Sequence, residues 1–317
     1  MTTTTTPTRP STSAALGGFV ATMVALAVAI IIARPAEAPD ELSILAAVVL
    51  GLVEGLTEYL PVSSTGHLLV VQQLLGLGGT EEADLALDTY AICIQSGAIL
   101  AVLVLYRVRL LQMLAGVTRG DPDGRSVLVA TVAAFVPTVV IALLFGDLVR
   151  DRLFDVVPIA VAWIIGGLAI LGLVRSGRIQ RSAGTAITEM TVRQAALIGT
   201  AQAIALWPGV SRSLVTIVAA VLVGLSLTAA VEFSFILGLA TLGAATAYEA
   251  LDNGSNLIDQ FGVVSPLIGL VVAFVSAVVA IRWMVGWLES HGFGVFGWYR
   301  IAAGVGAFIA LGLDLIG

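Results

Sequence analysis

Charged residues are scarce in this sequence, at 11% of 317 residues, against about 25% in an ordinary soluble domain. No segment carries a dense run of Lys or Arg, so the formal net charge of -6 gives no reason to expect a nucleic-acid partner. The single cysteine, Cys93, excludes an intramolecular disulfide and a metal site built from cysteines. Hydrophobic residues make up 58%, in runs that approach the roughly 20 residues needed to cross a bilayer. The composition therefore predicts an all-α polytopic membrane protein.

The N-terminal segment differs in composition from the rest of the chain. Residues 1–14 are rich in Thr, Ser and Pro, which predicts a disordered tail. An apolar stretch at 15–33 follows, and then an acidic, proline-containing linker. We expect residues 15–44 to form an extra N-terminal transmembrane helix and this linker; the alternative is a signal segment cleaved at the small-residue triplet 36–38. Residues 45–317 then form the membrane domain.

The distribution of arginine predicts the topology. Ten arginines cluster in three loops: Arg107, Arg109, Arg119 and Arg125; Arg175, Arg178, Arg181 and Arg193; Arg282 and Arg300. The positive-inside rule assigns these loops to the cytoplasm, and the acidic or mixed loops between them to the outside. The predicted spans lie near 89–106, 126–145, 157–174, 230–249, 263–282 and 300–316.

Two further apolar segments do not fit as spans. By this topology, residues 45–76 begin and end outside the cell, and residues 194–224 begin and end in the cytoplasm. Both segments are therefore predicted to be re-entrant. Each is interrupted by Pro, Gly and Ser, where a helix breaks and turns. Broken helices are tolerated at membrane depth only where protein buries them or water reaches them.

The two halves of the domain, about 45–175 and 194–317, therefore have the same plan, a re-entrant helical hairpin followed by three transmembrane helices. Because one hairpin enters from outside and the other from inside, we predict an inverted-topology repeat. A shift of 148 residues places Gly51 on Gly199, Glu54 on Gln202 and Ser63 on Ser211. In such folds the functional site lies where the broken elements meet.

The first break carries two acids. Glu54 and Glu58 are four residues apart, so a helix projects them from one face. Two carboxylates inside an apolar segment are unfavourable unless they share a proton, pair with a cation or bind a metal. We expect them to bind a divalent cation, Mg²⁺ or Ca²⁺, that substrate phosphates also hold. The alternative is a structural polar cluster.

Hydroxyls and an imidazole follow the acids. Ser63, Ser64 and Thr65 crowd the turn, and His67 lies within reach. Imidazole is the usual base for a hydroxyl nucleophile, but His67 could itself attack phosphorus. The structural alternatives are helix capping by the serines and a histidine that only hydrogen-bonds its neighbours.

The second break carries a phosphate-binding pattern. Arg212 lies inside an apolar run and needs an anionic partner. Its planar fork suits phosphate oxygens, and the hydroxyls of Ser211 and Ser213 add donors, with Thr216 as a weaker candidate. The alternative is an ion pair with one of the two acids of the first break. Both states could alternate if substrate displaces the pair.

The motifs EGLTEYLPVSSTGHL at 54–68 and PGVSRSLVT at 208–216 resemble those of the undecaprenyl-diphosphatase family, also called the bacitracin-resistance proteins. The resemblance extends from about residue 45 to the C-terminus. It implies a multi-pass protein of the bacterial plasma membrane with a site open to the outer face. It also implies hydrolysis of the polyprenyl lipid undecaprenyl diphosphate to the monophosphate, a divalent cation, and bacitracin competing for the lipid. The resemblance leaves open whether the protein forms a homodimer.

Carried over by position, the resemblance implies metal or proton chemistry at Glu54 and Glu58. It further implies nucleophile and base roles for Ser64 and His67, and phosphate binding by Arg212. A transporter or lipid flippase is the rival interpretation, because inverted repeats with broken helices are typical of transporters. Clustered acids, hydroxyls, histidine and arginine favour the enzyme, and release of phosphate would separate the two.

Overall fold

The computed structural model describes residues 42–78, 81–177 and 184–316. Within these ranges the protein is all-helical, with eleven α-helices and no strand beyond one isolated bridge between Thr185 and Leu225. The predicted tail at 1–14 and the predicted helix or signal segment at 15–33 lie outside the described residues. The all-α fold class is confirmed.

The helices are α1 (Ile44–Thr57), α2 (Ser64–Leu74), α3 (Glu81–Leu105), α4 (Arg107–Thr118), α5 (Pro122–Leu153), α6 (Val156–Arg175), α7 (Val192–Gln202), α8 (Arg212–Leu222), α9 (Leu227–Phe261), α10 (Val264–Ser290) and α11 (Gly294–Gly312). Short 3₁₀ turns at Ile187–Glu189 and Ala203–Leu206 flank α7.

Six helices of the described chain, α3, α5, α6, α9, α10 and α11, are long and apolar enough to cross a membrane. This confirms the six predicted spans. The predicted start of the last span is wrong, because α11 begins at Gly294 rather than at residue 300. Arg300 therefore lies inside the helix and is fully buried, not in a cytoplasmic loop. Backbone carbonyls of three other segments accept its hydrogen bonds, which is why a guanidinium can be buried here.

The two segments predicted to be re-entrant are each broken into a pair of short helices. The longest, α1, has 14 residues. At 1.5 Å per residue it extends about 21 Å, less than the roughly 30 Å of a bilayer core. We call residues 58–63, between α1 and α2, the first turn, and residues 207–211, before α8, the second turn.

Close backbone contacts seat the short helices against long ones. Gly51 of α1 faces α10, where an added Cβ would lie 2.5 Å from the Gly269 carbonyl oxygen. Gly199 of α7 meets α5 in the same way, at the backbone of Ala134. Small residues allow this close approach in membrane proteins. The long helices α3 and α9 also pack together, as do α6 and α11. These contacts hold both turns inside the helical bundle.

Candidate active site

Both turns face one cavity of about 480 Å³. Its polar wall comes mainly from the turns and the adjoining ends of α2 and α8, and much of its apolar wall from α5 and α9. The polar lining residues are Glu58, Ser63, Ser64, Thr65, Gln95, Thr138, Gln202, Ser211, Arg212 and Thr241. The cavity therefore combines a polar wall with an apolar one.

An ion pair joins the two turns at this wall. Nη2 of Arg212, the first residue of α8, donates to Oε1 of Glu58 over 2.9 Å. The other oxygen of Glu58, Oε2, accepts a short hydrogen bond from the hydroxyl of Ser64, the first residue of α2. A continuous chain thus runs from guanidinium through carboxylate to hydroxyl. The ion pair is the alternative that the sequence left open for Arg212.

The guanidinium of Arg212 is fixed from several sides. Its Nη1 donates to the carbonyl oxygen of Ser234 over 3.1 Å, and its Cζ lies 5.6 Å from the ring centroid of Tyr59. Gly238 passes so close that a Cβ there would collide with Nη1. Nε of Arg212 is buried without a hydrogen-bond partner. Arg212 therefore retains an unused donor beside the cavity.

Glu54 lies behind the wall, in the last turn of α1. Its side chain is buried, it interacts electrostatically with Glu58 and Arg212, and its Oε1 has no hydrogen-bond partner. A buried carboxylate oxygen without a partner requires a proton or a cation. No group of three or more His, Cys, Asp or Glu residues surrounds such a site in the described ranges. Two carboxylates together with phosphate oxygens nevertheless suit Mg²⁺, so Glu54 and Glu58 fit the predicted cation.

The hydroxyls of the second turn mainly bind protein. Ser211 and Ser213 both donate to the carbonyl oxygen of Leu60, over 3.4 and 2.9 Å, and Ser211 also caps α8. Thr216 bonds the hydroxyl of Ser234 over 2.6 Å. Of these three predicted substrate-binding residues only Ser211 lines the cavity. Ser213 and Thr216 lie behind it and hold the two turns and α9 together.

The first turn presents its hydroxyls through a distorted backbone. Ser63 has φ of +74°, a conformation that residues other than glycine seldom adopt. Its side chain makes no capping bond to α2, although capping was the structural alternative for these serines. Ser63, Ser64 and Thr65 all line the cavity. Strain of this kind tends to persist where a function requires it.

His67 binds Ser63 and Tyr299 rather than Glu58, Ser64 or Arg212. Its Nδ1 lies 2.6 Å from the carbonyl oxygen of Ser63, so this nitrogen carries a proton and donates. In the neutral ring Nε2 then accepts from the hydroxyl of Tyr299, 2.7 Å away. The ring also packs against Trp163, with centroids 4.6 Å apart. His67 is not part of the cavity lining, and both of its nitrogens are engaged.

Sequence reasoning missed several residues of the site. Tyr59 contacts Arg212, and Tyr299 contacts His67. Arg300 binds both turns. Gln202, the counterpart of Glu54 at the 148-residue shift, lines the cavity and donates to Thr138 over 3.3 Å. That shift was the one signal that pointed to Gln202. Tyr59 lies inside the motif at 54–68 but has no charge or nucleophile that would have singled it out, and Tyr299 and Arg300, near a predicted span end, resemble ordinary interfacial residues.

Comparison with known proteins agrees with the motifs. Residues 47–306 match a family described as "Bacitracin resistance protein BacA". Among similar proteins, the undecaprenyl-diphosphatase of Sorangium cellulosum (strain So ce56) is 45% identical over 262 residues, covering 81% of this chain and 83% of that protein. Undecaprenyl-diphosphatase 2 of Rhodospirillum rubrum is 43% identical, covering 84% of this chain and 94% of that protein. Undecaprenyl-diphosphatase 1 of Chromobacterium violaceum is 42% identical, with coverages of 82% and 93%.

Proposed function

Because the chain belongs to the bacitracin resistance protein BacA family, we propose that it hydrolyses undecaprenyl diphosphate to undecaprenyl phosphate and inorganic phosphate. The observation that carries this proposal is the hydrogen-bonded chain of Ser64, Glu58 and Arg212 on the cavity wall. A hydroxyl that can attack phosphorus, a carboxylate that can take its proton and a guanidinium that can bind phosphate are thereby in contact. The reaction would return the lipid carrier to cell-wall synthesis and confer resistance to bacitracin, which competes for the same lipid.

The cavity suits the two chemical parts of this substrate. Its polar wall offers donors to a diphosphate, and its apolar wall offers hydrocarbon contacts. About 480 Å³ is typical of a site for a drug-sized molecule, so it would hold the diphosphate and the first isoprene units. Leu143 on α5 and Tyr248 on α9 line the cavity and are also 81% and 71% exposed. The rest of the tail would leave between these helices into the bilayer.

Ser64 is the better placed nucleophile. Its oxygen would form a bond to the terminal phosphorus as the bond from that phosphorus to the bridging oxygen breaks, and undecaprenyl phosphate would leave. Oε2 of Glu58, which already accepts the Ser64 hydroxyl, would take the proton. Water would then hydrolyse the phosphoserine and release inorganic phosphate. His67 is a weaker candidate, because both of its nitrogens are engaged.

Substrate binding would be coupled to the contacts of Glu58 through Arg212. In the described structure the guanidinium holds Oε1 of the Glu58 carboxylate in an ion pair. A diphosphate competes for the same guanidinium and offers bidentate oxygens. When Arg212 turns to the phosphate, Oε1 of Glu58 is released, while Oε2 still accepts the Ser64 hydroxyl. Substrate would thus free Oε1 for a cation without disturbing the contact between base and nucleophile.

A divalent cation would bind beside the two acids. Glu54 supplies a buried oxygen without a partner, and Glu58 would supply a second oxygen once Arg212 has turned away. When bound, the cation would neutralise charge on the phosphates.

The helix bounds support the inverted repeat. The first residues of α1 and α7 are 148 residues apart, as are the first and the last residues of α2 and α8. α1 packs on α10 as α7 packs on α5. These regularities repeat the shift that aligned Glu54 with Gln202. Two halves with equivalent helices and opposite arginine distributions are what an inverted-topology repeat requires.

The cavity would open toward the outside of the cell. It follows α5 from Phe135 to Leu143, in the direction of the C-terminal end of that helix. The N-terminal end is flanked by Arg119 and Arg125, which the positive-inside rule assigns to the cytoplasm. The C-terminal end, and with it the mouth of the cavity, then faces outward.

Release of phosphate from undecaprenyl diphosphate by detergent-purified protein tests the proposal. A phosphatase releases inorganic phosphate with a divalent cation present, and the variant Ser64→Ala should release almost none. A pure carrier built on the same scaffold would release none with either chain. That result would overturn the phosphatase in favour of a transporter or flippase.

A further inference from the structure

Arg300 is the largest fully buried side chain of the described residues, with 0% of its surface exposed. Its guanidinium forms no ion pair with a carboxylate in the described part of the chain. Three backbone carbonyl oxygens accept from it instead: Pro61 over 3.3 Å, Ala162 over 3.0 Å and Gly209 over 2.8 Å. A buried charge held only by carbonyl dipoles is unfavourable to form, so its retention requires a reason.

The positions of the acceptors supply that reason. Pro61 belongs to the first turn, Gly209 to the second, and Ala162 to α6. Pro61 lies between Glu58 and Ser64, and Gly209 lies three residues before Arg212. One guanidinium thus spans the two segments that carry the catalytic chain.

We propose that Arg300 is a positioning residue that holds the two turns at the separation at which Arg212 reaches Glu58 and Glu58 reaches Ser64. It contacts neither the cavity nor the predicted nucleophile, so it acts through the backbone of the turns. The catalytic readout of this proposal rests on the phosphatase function above; its structural readout does not.

Only arginine has the geometry for this position. Its planar fork presents five donors in fixed directions and can bind three carbonyls on separate segments, whereas lysine is a point charge on a flexible chain. The pocket is tight, since a Cβ at Gly166 would collide with Nη2 of Arg300. At Gly209, φ is +88° and a Cβ would lie 2.7 Å from the carbonyl oxygen of Ile159. The second turn is therefore held between α6 and Arg300.

The neighbouring residue strengthens the assignment. Tyr299 donates to Nε2 of His67 on α2, and Nδ1 of His67 donates to the carbonyl oxygen of Ser63 in the first turn. Two consecutive residues of α11 thus support the first turn from behind. Trp298, the residue before them, is 67% exposed and takes no part in these contacts. It supplies a matched control on the same helix.

The test compares Arg300→Met and Arg300→Lys with the control Trp298→Phe in purified protein. We expect Arg300→Met to lower kcat about 100-fold with KM nearly unchanged, since misplacing reacting groups by about 1 Å can have this effect. Arg300→Lys should restore part of kcat, and Trp298→Phe should behave as wild type. Should Arg300→Met fail to fold, Arg300→Lys decides alone. Wild-type kcat in either folded variant would overturn the proposal.

A second mutation separates positioning from general stability. If Arg300 acts by aligning Arg212, its loss should matter much less once Arg212→Lys has already weakened that contact. If the two reductions in kcat instead multiply in the double variant Arg212→Lys, Arg300→Met, Arg300 has an independent structural role and the positioning proposal is contradicted.

Hydrogen exchange gives a readout that needs no activity. Amide exchange measured by mass spectrometry should rise in Arg300→Met or Arg300→Lys at residues 58–66 and 207–214, and not in α4. Unchanged exchange at both turns would overturn the proposal. The two proposals can fail separately. If exchange rises at both turns but the wild-type protein releases no phosphate, Arg300 still links the turns and only the phosphatase function fails.

Discussion

Arg212 and Glu58 are separated by 154 residues in the chain, yet Nη2 and Oε1 lie 2.9 Å apart between two broken helices. Both side chains are almost fully buried, at 11% and 5% exposed. A buried ion pair at the wall of a cavity is costly to break by removing one partner, but a second anion can replace the carboxylate. We therefore propose this pair as the place where a phosphate binds.

Replacing Arg212 with Ala should lower kcat by about 10²–10³, the loss expected when one preorganised charge-stabilising group is removed. Arg212→Lys should keep part of the activity, because it retains charge but not the bidentate fork. The measurement is phosphate release by variants that elute as folded protein. Arg150→Ala, which breaks an exposed ion pair with Asp88, is the control and should remain active. An active Arg212→Ala variant would remove the phosphate-binding role.

Ser64→Ala should abolish both turnover and any covalent phosphate. Wild-type protein quenched in denaturant at neutral pH during turnover, which preserves phosphate on serine and on histidine, should carry phosphate on Ser64, detected by mass spectrometry of its peptides. Thr65→Ala is the matched control, because Thr65 lines the cavity next to Ser64 but is exposed and has no bond to Glu58 in the described structure. Phosphate on His67 instead would make imidazole the nucleophile.

Tyr299→Phe should reduce activity only modestly, because it removes one hydrogen bond to His67 and leaves the Ser64 to Glu58 contact intact. His67→Asn should have a similar effect if the imidazole supports the turn rather than attacking phosphorus. Steady-state rates of the two variants and of their combination give the measurement. Complete loss in folded His67→Asn with near-normal Tyr299→Phe would instead indicate direct chemistry at His67.

Glu54→Gln should raise the concentration of divalent cation needed for half-maximal rate, because it removes one of the two proposed carboxylate ligands. Chelation should stop the wild-type reaction, and added Mg²⁺ or Ca²⁺ should restore it. Asp88→Asn, at an exposed surface ion pair, provides the control. A rate unaffected by chelation would exclude the proposed cation.

Tyr248→Cys in a Cys93→Ala background should react with a membrane-impermeant thiol reagent in intact cells. Tyr248 lines the cavity and is exposed, next to Glu249, where the apolar span within α9 ends on the side that we place outside. Arg119→Cys, in the predicted cytoplasmic loop, should react only after permeabilisation. Labelling with the opposite pattern would turn the site toward the cytoplasm.

The helical breaks could be predicted because their causes are local. Pro61 interrupts the apolar segment at 45–76 and the Pro208–Gly209 pair interrupts the one at 194–224, and the structure ends α1 and begins α8 around them. The meeting of the two breaks followed from topology. Topology did not predict which acid pairs with Arg212. Glu54 and Glu58 lie on one helix face, and only the packing of the helices brings one of them nearer to the guanidinium.

The error at Arg300 has a similar origin. An arginine near the end of an apolar run usually marks a loop, and the sequence contains no sign that Pro61, Ala162 and Gly209 would turn their carbonyls toward it. The orientation of His67 was equally hidden, because it depends on Tyr299, which is 232 residues away.

The sequence by itself determined that the protein lies in a lipid bilayer, how many spans the described chain has and where the two helical breaks fall. These follow from hydrophobicity, length and Pro or Gly chemistry, which act within one segment. Tertiary structure alone decided that Glu58 pairs with Arg212, that His67 faces Tyr299, and that Arg300 spans both turns. Such choices depend on distances of a few ångströms between distant segments, and only the packed bundle sets those distances.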